Sequence, residues 1–338
     1  MKPGDLDNLS IEPVDDWSPP LPQADHTPLI DPRKWQRAQE MSVTELADAA
    51  MAVGRLDAML GDMSGTDRDG AIRRLALTEV EAMLWAQGTP LRREEIGRDL
   101  MDARADADLE AMRQARWALR RLEGATVPPD LRAFLGLHRS EFSGLAQDVA
   151  RRAAGHDLDE AIAGFHEQNE RLAGLHAFCR GPALRTLWRL SDLSPPDTPI
   201  EAAVWTARQM AAGTEALTFL PMGRHGRAVW TDSGDPARRL PNHLAALTLG
   251  ATEARIHLLR LRDWAAEAKL RTARIKGQNP ARVIDALAAH PLMSTAMVEQ
   301  ATGTSRDTSE RILARMHRMG IVREVTGTKR FRLWAAAA

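Results

Sequence analysis

Ten histidines and one cysteine are the residues of this 338-residue chain best suited to catalytic or metal chemistry, and their spacing points to neither. His166-Glu167 opens the run HEQNE, which lacks the second histidine that would place two imidazoles on one helical face around zinc. His138, His166 and His176 therefore read as ordinary surface or core residues. Cys179 has Arg180 beside it, and a neighbouring cation favours a thiolate. No histidine completes a nucleophile motif there, so a buried structural thiol is the simpler reading. The run GRHGR at 223–227 offers glycine backbone and two arginines, the makings of an anion cradle. A basic turn is the simpler reading of it. Without a phosphate-binding loop, dinucleotide fingerprint or nucleophile elbow, no enzyme activity, cofactor or metal is expected.

A second kind of chemistry, recognition of an anionic duplex, gathers near the end of the sequence. From Arg271 to Trp334 there are twelve Lys/Arg against five Asp/Glu, about +7, in a chain of net charge −1. The remainder then carries about −8, an acidic body with a cationic tail. Within the tail, Ser305, Arg306, Thr308, Ser309, Arg311 and Arg315 fall at the start and along one face of a predicted helix. In the first turns of a recognition helix, an arginine fork matches the two acceptors of guanine, and hydroxyls serve several bases. Lys329, Arg330 and Arg332 lie beyond, where a basic hairpin would hold phosphates without reading sequence. Asp307 and Glu310 weaken the field beside these positions.

These side chains need a frame, and the pattern of residues 279–334 supplies one. Val283, Ile284 and Leu287 recur at helical spacing before His290-Pro291. Ser294 is a natural N-cap for a second helix that ends at Gly303, and Ser305 for a third. Ile312, Leu313, Met316 and Met319 form the buried stripe of that third helix, and Gly320 ends it. Two β-prone runs, Ile321–Thr326 and Arg330–Trp334, flank a turn at Gly327-Thr328-Lys329. Helix, helix, helix and hairpin predict a winged helix-turn-helix that binds double-stranded DNA. Docking to a protein is the alternative use of such a module.

The fold class expected for the whole chain is mainly α, a multi-helix body with this C-terminal unit. Residues 1–34 hold many prolines and few large aliphatics and read as an extended arm, with Trp17 able to anchor it. Helical periodicity fills 35–239, over 42–60, 68–87, 91–100, 104–123, 129–153, 157–178, 182–192 and 200–212. Two short strands are expected around Gly223–Gly226, then a long helix near 240–275 inside a linker segment, 240–278. Trp85, Trp117, Trp188, Trp205 and Trp264 read as core fillers, with a ligand pocket lined by several as the alternative. The absence of tyrosine and the preference for Arg over Lys suggest a GC-rich coding sequence. No run of eighteen apolar residues suggests a membrane span, and the acidic start lacks a secretory pattern, so a cytoplasmic protein is expected.

The segments AMAVGRLDAML, LALTEVEAMLWAQG, ARWALRRL and HPLMSTAMVEQATGTSRDTSERIL, with the run TGTKRFRLW, resemble a family of uncharacterised bacterial proteins. Its members are often plasmid-borne and join a helical domain of unknown function to a DNA-binding helix-turn-helix. The resemblance covers most of 45–334 and implies a fold and DNA binding, but no reaction. A more distant likeness is to Fic proteins, which transfer AMP to hydroxyls and often end in a similar unit. Their SxIEGT segment has a counterpart in Leu84–Thr89, LWAQGT, with Gln87 where the glutamate would stand. Their HPFxxGNGRxxR signature has none: residues 187–205 read LWRLSDLSPPDTPIEAAVW. No catalytic residue carries over. The expectation is a DNA-binding regulator or plasmid-maintenance factor, dimerised through the long helix or meeting a protein partner through its body. A protein-interaction adaptor and a divergent nucleotide transferase are the rivals.

Overall fold

The computed structural model describes residues 29–100, 108–126, 130–136, 155–195, 197–327 and 332–338. The architecture is mainly α. The body begins with α1 (Pro32–Met41), α2 (Val43–Gly61), α3 (Gly65–Gln87), α4 (Arg93–Leu100) and α5 (Leu109–Glu123). It continues with α6 (Leu131–Leu135), α7 (Gly155–Glu170), α8 (Ala177–Leu190), α9 (Ile200–Met210) and α10 (Arg227–Trp230). Local chemistry sets the ends. Ser64 Oγ accepts from the Asp67 amide at the start of α3, and Gly88, at φ 87°, closes it in the left-handed region. Asp108 caps α5 in the same way as Ser64 caps α3.

The helix α1 already begins inside the expected arm, because Asp31 caps it and Pro32 suits a first turn. Trp17 and most of 129–153 lie outside the described residues. The expected break between 178 and 182 falls at 171–176 instead, so Pro182 sits inside α8. Proline has no N–H for the Phe178 carbonyl four residues back. His243 fills that place, its Nε2 lying 3.1 Å from Phe178 O. The expected strands around Gly223–Gly226 do not form. Those residues make a 3-10 turn that leads into α10.

The long helix α11 (Pro236–Thr272) packs on α1, α2 and α8 and then on α12 (Asn279–Ala289). Gly250 lets the segment just before the 3-10 turn at Gly223–Gly226 approach α11, since a Cβ there would stand 2.4 Å from Met222 Cα. Its first two-thirds bury Leu240, Leu244, Leu247, Ala251 and Leu258 in the body core. Its last third buries Leu261, Trp264 and Ala268 in a second core. The segment expected as a linker and dimer seam therefore packs within its own chain, leaving Leu249, Ile256 and Leu270 exposed.

That second core belongs to α12, β1 (Met293–Ser294), α13 (Thr295–Thr302), α14 (Arg306–Arg318), β2 (Val322–Glu324) and β3 (Leu333–Ala336). The three strands form one antiparallel sheet in the order β1-β3-β2. Trp334 faces Met293 on one side and Glu324 on the other. The last strand is described over Leu333–Ala336, completed by alanines of the C-terminal run, and Arg330 lies outside the described residues. All four of its residues are buried. Alternation explains this: Ala335 enters the body core, while Trp334 and Ala336 enter the second core.

The two parts meet through close polar and apolar contacts. The Arg74 Nη2 of α3 donates to the carbonyls of Leu287, Ala288 and His290, at 2.8, 3.1 and 2.9 Å, around the C-terminal end of α12. A cation at that end also suits the helix dipole. Gly70 allows the approach, because a Cβ there would lie 2.6 Å from Ala289 O.

Candidate nucleic-acid interface

Helix α14 is held from behind by α12, α13 and β2. Leu313 and Met316 turn inward, while Asp307, Arg311, Ala314, Arg315 and Arg318 are exposed along the outer side. Arg311, Ala314, Arg315 and Arg318 follow the three- and four-residue spacing of a single helical stripe. Arg311 and Arg315 have no carboxylate partner within ion-pair distance among the described residues. Arg318 was not among the expected contacts, although its position seven residues after Arg311 is a signal present in the sequence.

The other candidates divide. Ser305 caps α14, with its Oγ 3.4 Å from the Thr308 amide and 2.9 Å from Thr308 Oγ1, so these two hydroxyls engage each other. Arg306 is largely exposed but lies 3.3 Å from Glu310, an ion pair that DNA would have to compete with. Ser309 is a correction. It is fully buried, and its hydroxyl lies 2.6 Å from Thr304 Oγ1, which itself lies 2.7 Å from Thr302 Oγ1. This hydroxyl chain locks the turn between α13 and α14, so Ser309 reads no base. Lys329 and Arg330 lie outside the described residues. Arg332 is exposed at the entry to β3 and is engaged by other residues of the chain.

Ahead of the hairpin tip, Glu324 accepts from the Thr326 and Gly327 amides at 2.8 and 3.0 Å. At the opposite end of α14, Arg271 of α11 donates to Met319 O. Trp264 Nε1 donates to Ile321 O at 2.8 Å. The outer face of α14 is thus carried on a support fixed from both ends.

The candidates for other chemistry resolve into structure. The start of the GRHGR run holds a carboxyl group of the chain's own. Glu79 accepts from the Met222 amide at 3.0 Å and from the Gly223 amide, whose Nα lies 2.6 Å away. Burial pushes this carboxyl up to about 7, against the opposing pull of the two amides. Arg224 and His225 both meet Glu253, at 3.2 and 2.8 Å, and Arg227 stacks over Trp85 at 4.6 Å. Trp85 is accordingly more than half exposed rather than a core filler. Cys179 is buried, and burial pushes its thiol up to about 12, far from a reactive thiolate. His176 accepts the Phe178 amide and caps α8. Gln87 ends α3 and donates to Gln114 at 2.6 Å. Among the described residues, no cluster of His, Cys, Asp or Glu could hold a metal, and no helix is long and apolar enough to cross a membrane.

Phe134 stands at the centre of the body core, edge-on to Trp117, Trp188 and Trp205 at 5.3, 6.5 and 4.8 Å between ring centroids. A large cavity, about 950 Å³, lies between α3 and the residues after α9. It sets Arg68, Arg73 and Arg208 against Asp69, Glu123 and Glu215, a balance that favours neither sign of ligand.

No protein-family model matches the chain, and no curated protein does. Among solved structures, the chain is similar to a Fic family protein from Desulfovibrio desulfuricans G20. The two share 15% identity at a TM-score of 0.48, over 87% of this chain and 95% of the other. That likeness is too slight to bear on function.

Proposed function

We propose that residues 279–336 form a winged helix-turn-helix and that the protein binds double-stranded DNA through α14. One observation carries the reading. Three helices and a β1-β3-β2 sheet present α14 outward, with Arg311, Arg315 and Arg318 exposed along it. An exposed helix of this length fits the major groove, and its arginines can meet phosphates or guanine edges. Lys329 and Arg330, which follow β2 in the sequence, would add phosphate contacts beside it. Transcriptional regulation or plasmid maintenance is the biological setting we assign. A second copy would supply the second half-site about one helical turn away.

The test is a salt titration of binding by the full chain to random duplex and to the DNA upstream of its own gene. Preference for upstream DNA that survives rising salt is the expected result. The slope of log K against log salt should then become shallower by about two when Arg311 and Arg315 are both replaced by Ala. Absence of binding at low salt would move α14 to protein docking and overturn the proposal. A nucleotide-transferring body remains the rival for residues 32–239, and stabilisation of the protein by ATP would favour it.

A further inference from the structure

A cavity of about 140 Å³ lies where α8, the loop after it, the first turn of α9, the end of α10 and the first turn of α11 converge. Two guanidinium groups line it, from Arg185 and Arg239, which are only 6% and 4% exposed. Neither has a carboxylate within ion-pair distance among the described residues. Asp232, at the same cavity, is 2.6 Å from Arg238.

The hydrogen bonds these groups make leave several donors over. Arg185 Nη2 donates to Val229 O at 3.2 Å and lies 3.3 Å from His243 Nδ1. His243 directs its other nitrogen to Phe178 O, so Nδ1 is the acceptor. Arg239 donates from Nη1 to Thr186 Oγ1 at 2.7 Å and from Nη2 to Pro182 O at 3.3 Å. Among the described residues, Arg185 Nε and Nη1, Arg239 Nε and Trp230 Nε1 reach no partner.

Two neighbouring buried cations with unmet donors are costly unless an anion joins them. Burial and then the like charge of Arg239 bring Arg185 down to about 9, against the opposing pull of Asp232. Arg189 and the hydroxyls of Thr186 and Thr198 add further cationic and polar groups to the lining.

We propose that this cavity binds a small dianionic oxyanion, a phosphate ion or the phosphoryl group of a small molecule, between Arg185 and Arg239. Planar forks suit tetrahedral oxyanions because they can offer paired N–H groups. Trp188 and Trp230 add apolar wall for a few further atoms. The volume is well below the roughly 300–1,000 Å³ of sites for drug-sized ligands, so a whole nucleotide does not fit. The site stands independently of the DNA reading, since it uses none of the same residues.

The experiment is thermal melting of the full chain in sodium phosphate, sulfate, glycerol 3-phosphate and chloride at one ionic strength. Phosphate should raise the Tm saturably and chloride should not. Arg185→Gln should weaken the apparent affinity at least tenfold. Thr198→Asp, which brings a carboxylate of the chain's own to the lining, should do the same without lowering the anion-free Tm. Tighter binding of glycerol 3-phosphate than of phosphate would identify an organic phosphate as the source, and equal or weaker binding the free ion. Equal stabilisation by chloride, or an unchanged phosphate response in both variants, would overturn the proposal.

Discussion

Arginine plays opposite parts in the two regions of this molecule. In the body its guanidinium groups turn inward and close helices. Arg121 donates to Ala133 and Phe134 carbonyls at the end of α6, Arg208 reaches Leu122 and Gly124 at the end of α5, and Arg74 gathers the end of α12. On α14, Arg311, Arg315 and Arg318 face solvent with no carboxylate partner among the described residues. A buried guanidinium satisfies several carbonyls at once and is kept from contact with any outside partner. An exposed one keeps its field and orders nothing. Counting arginines by region therefore says little until burial divides them.

The comparison can be broken first at Arg74. Arg74→Ala should strand three carbonyls near the end of α12 and cost roughly 3–9 kcal/mol, at about 1–3 kcal/mol for each unmet buried group. Urea denaturation measures it. A loss below about 1 kcal/mol would mean that Arg74 is no more structural than the arginines of α14.

Glu79 tests the body in a different coordinate. Its carboxyl is raised to about 7 in the folded protein, from an ordinary 4.5. The folded state thus prefers the protonated form. The stability it contributes is complete below about pH 4.5 and is lost as pH rises through 7. The loss approaches about 3 kcal/mol. In Glu79→Gln this dependence should vanish, so the stability difference between the two proteins should shift across that window. Parallel pH profiles would show that the Glu79 site is not as dry as its burial implies.

A smaller effect is expected at the seam. Gly70→Ala should force α3 and α12 apart and cost about 1–3 kcal/mol, read as a lower Tm. Smallest of all is the change in stability on replacing Arg311 and Arg315 by Ala, within about 0.5 kcal/mol for each. The same pair should alter DNA affinity strongly. A large loss of stability would erase the contrast between the two kinds of arginine.

What the sequence disclosed follows this division. Caps at Ser294 and Ser305, the left-handed glycines at 303 and 320, and the inward stripe of α14 are local, and they were legible. The break before α8 was misplaced because Pro182 normally ends helices, and only the distant His243 accepts its consequence. Ser309 looked like a reader because a hydroxyl on an early helical turn often is one. Its burial depends on Thr304, which packs behind it. The last strand runs on through Ala335 and Ala336, which carry little strand signal, and β3 owes its place to the two cores it separates. The anion cavity was least legible of all, since Arg185 and Arg239 meet across more than fifty residues of chain.

Helix α11 also has a consequence in time. Its first part can be covered by helices synthesised before it, whereas Trp264 waits for Ile321 and Trp334. At about 5–20 residues per second, a ribosome needs roughly four to fourteen seconds to make the intervening stretch. For that interval a nascent chain carries a finished helix with one apolar end bare, long enough for a chaperone to find it.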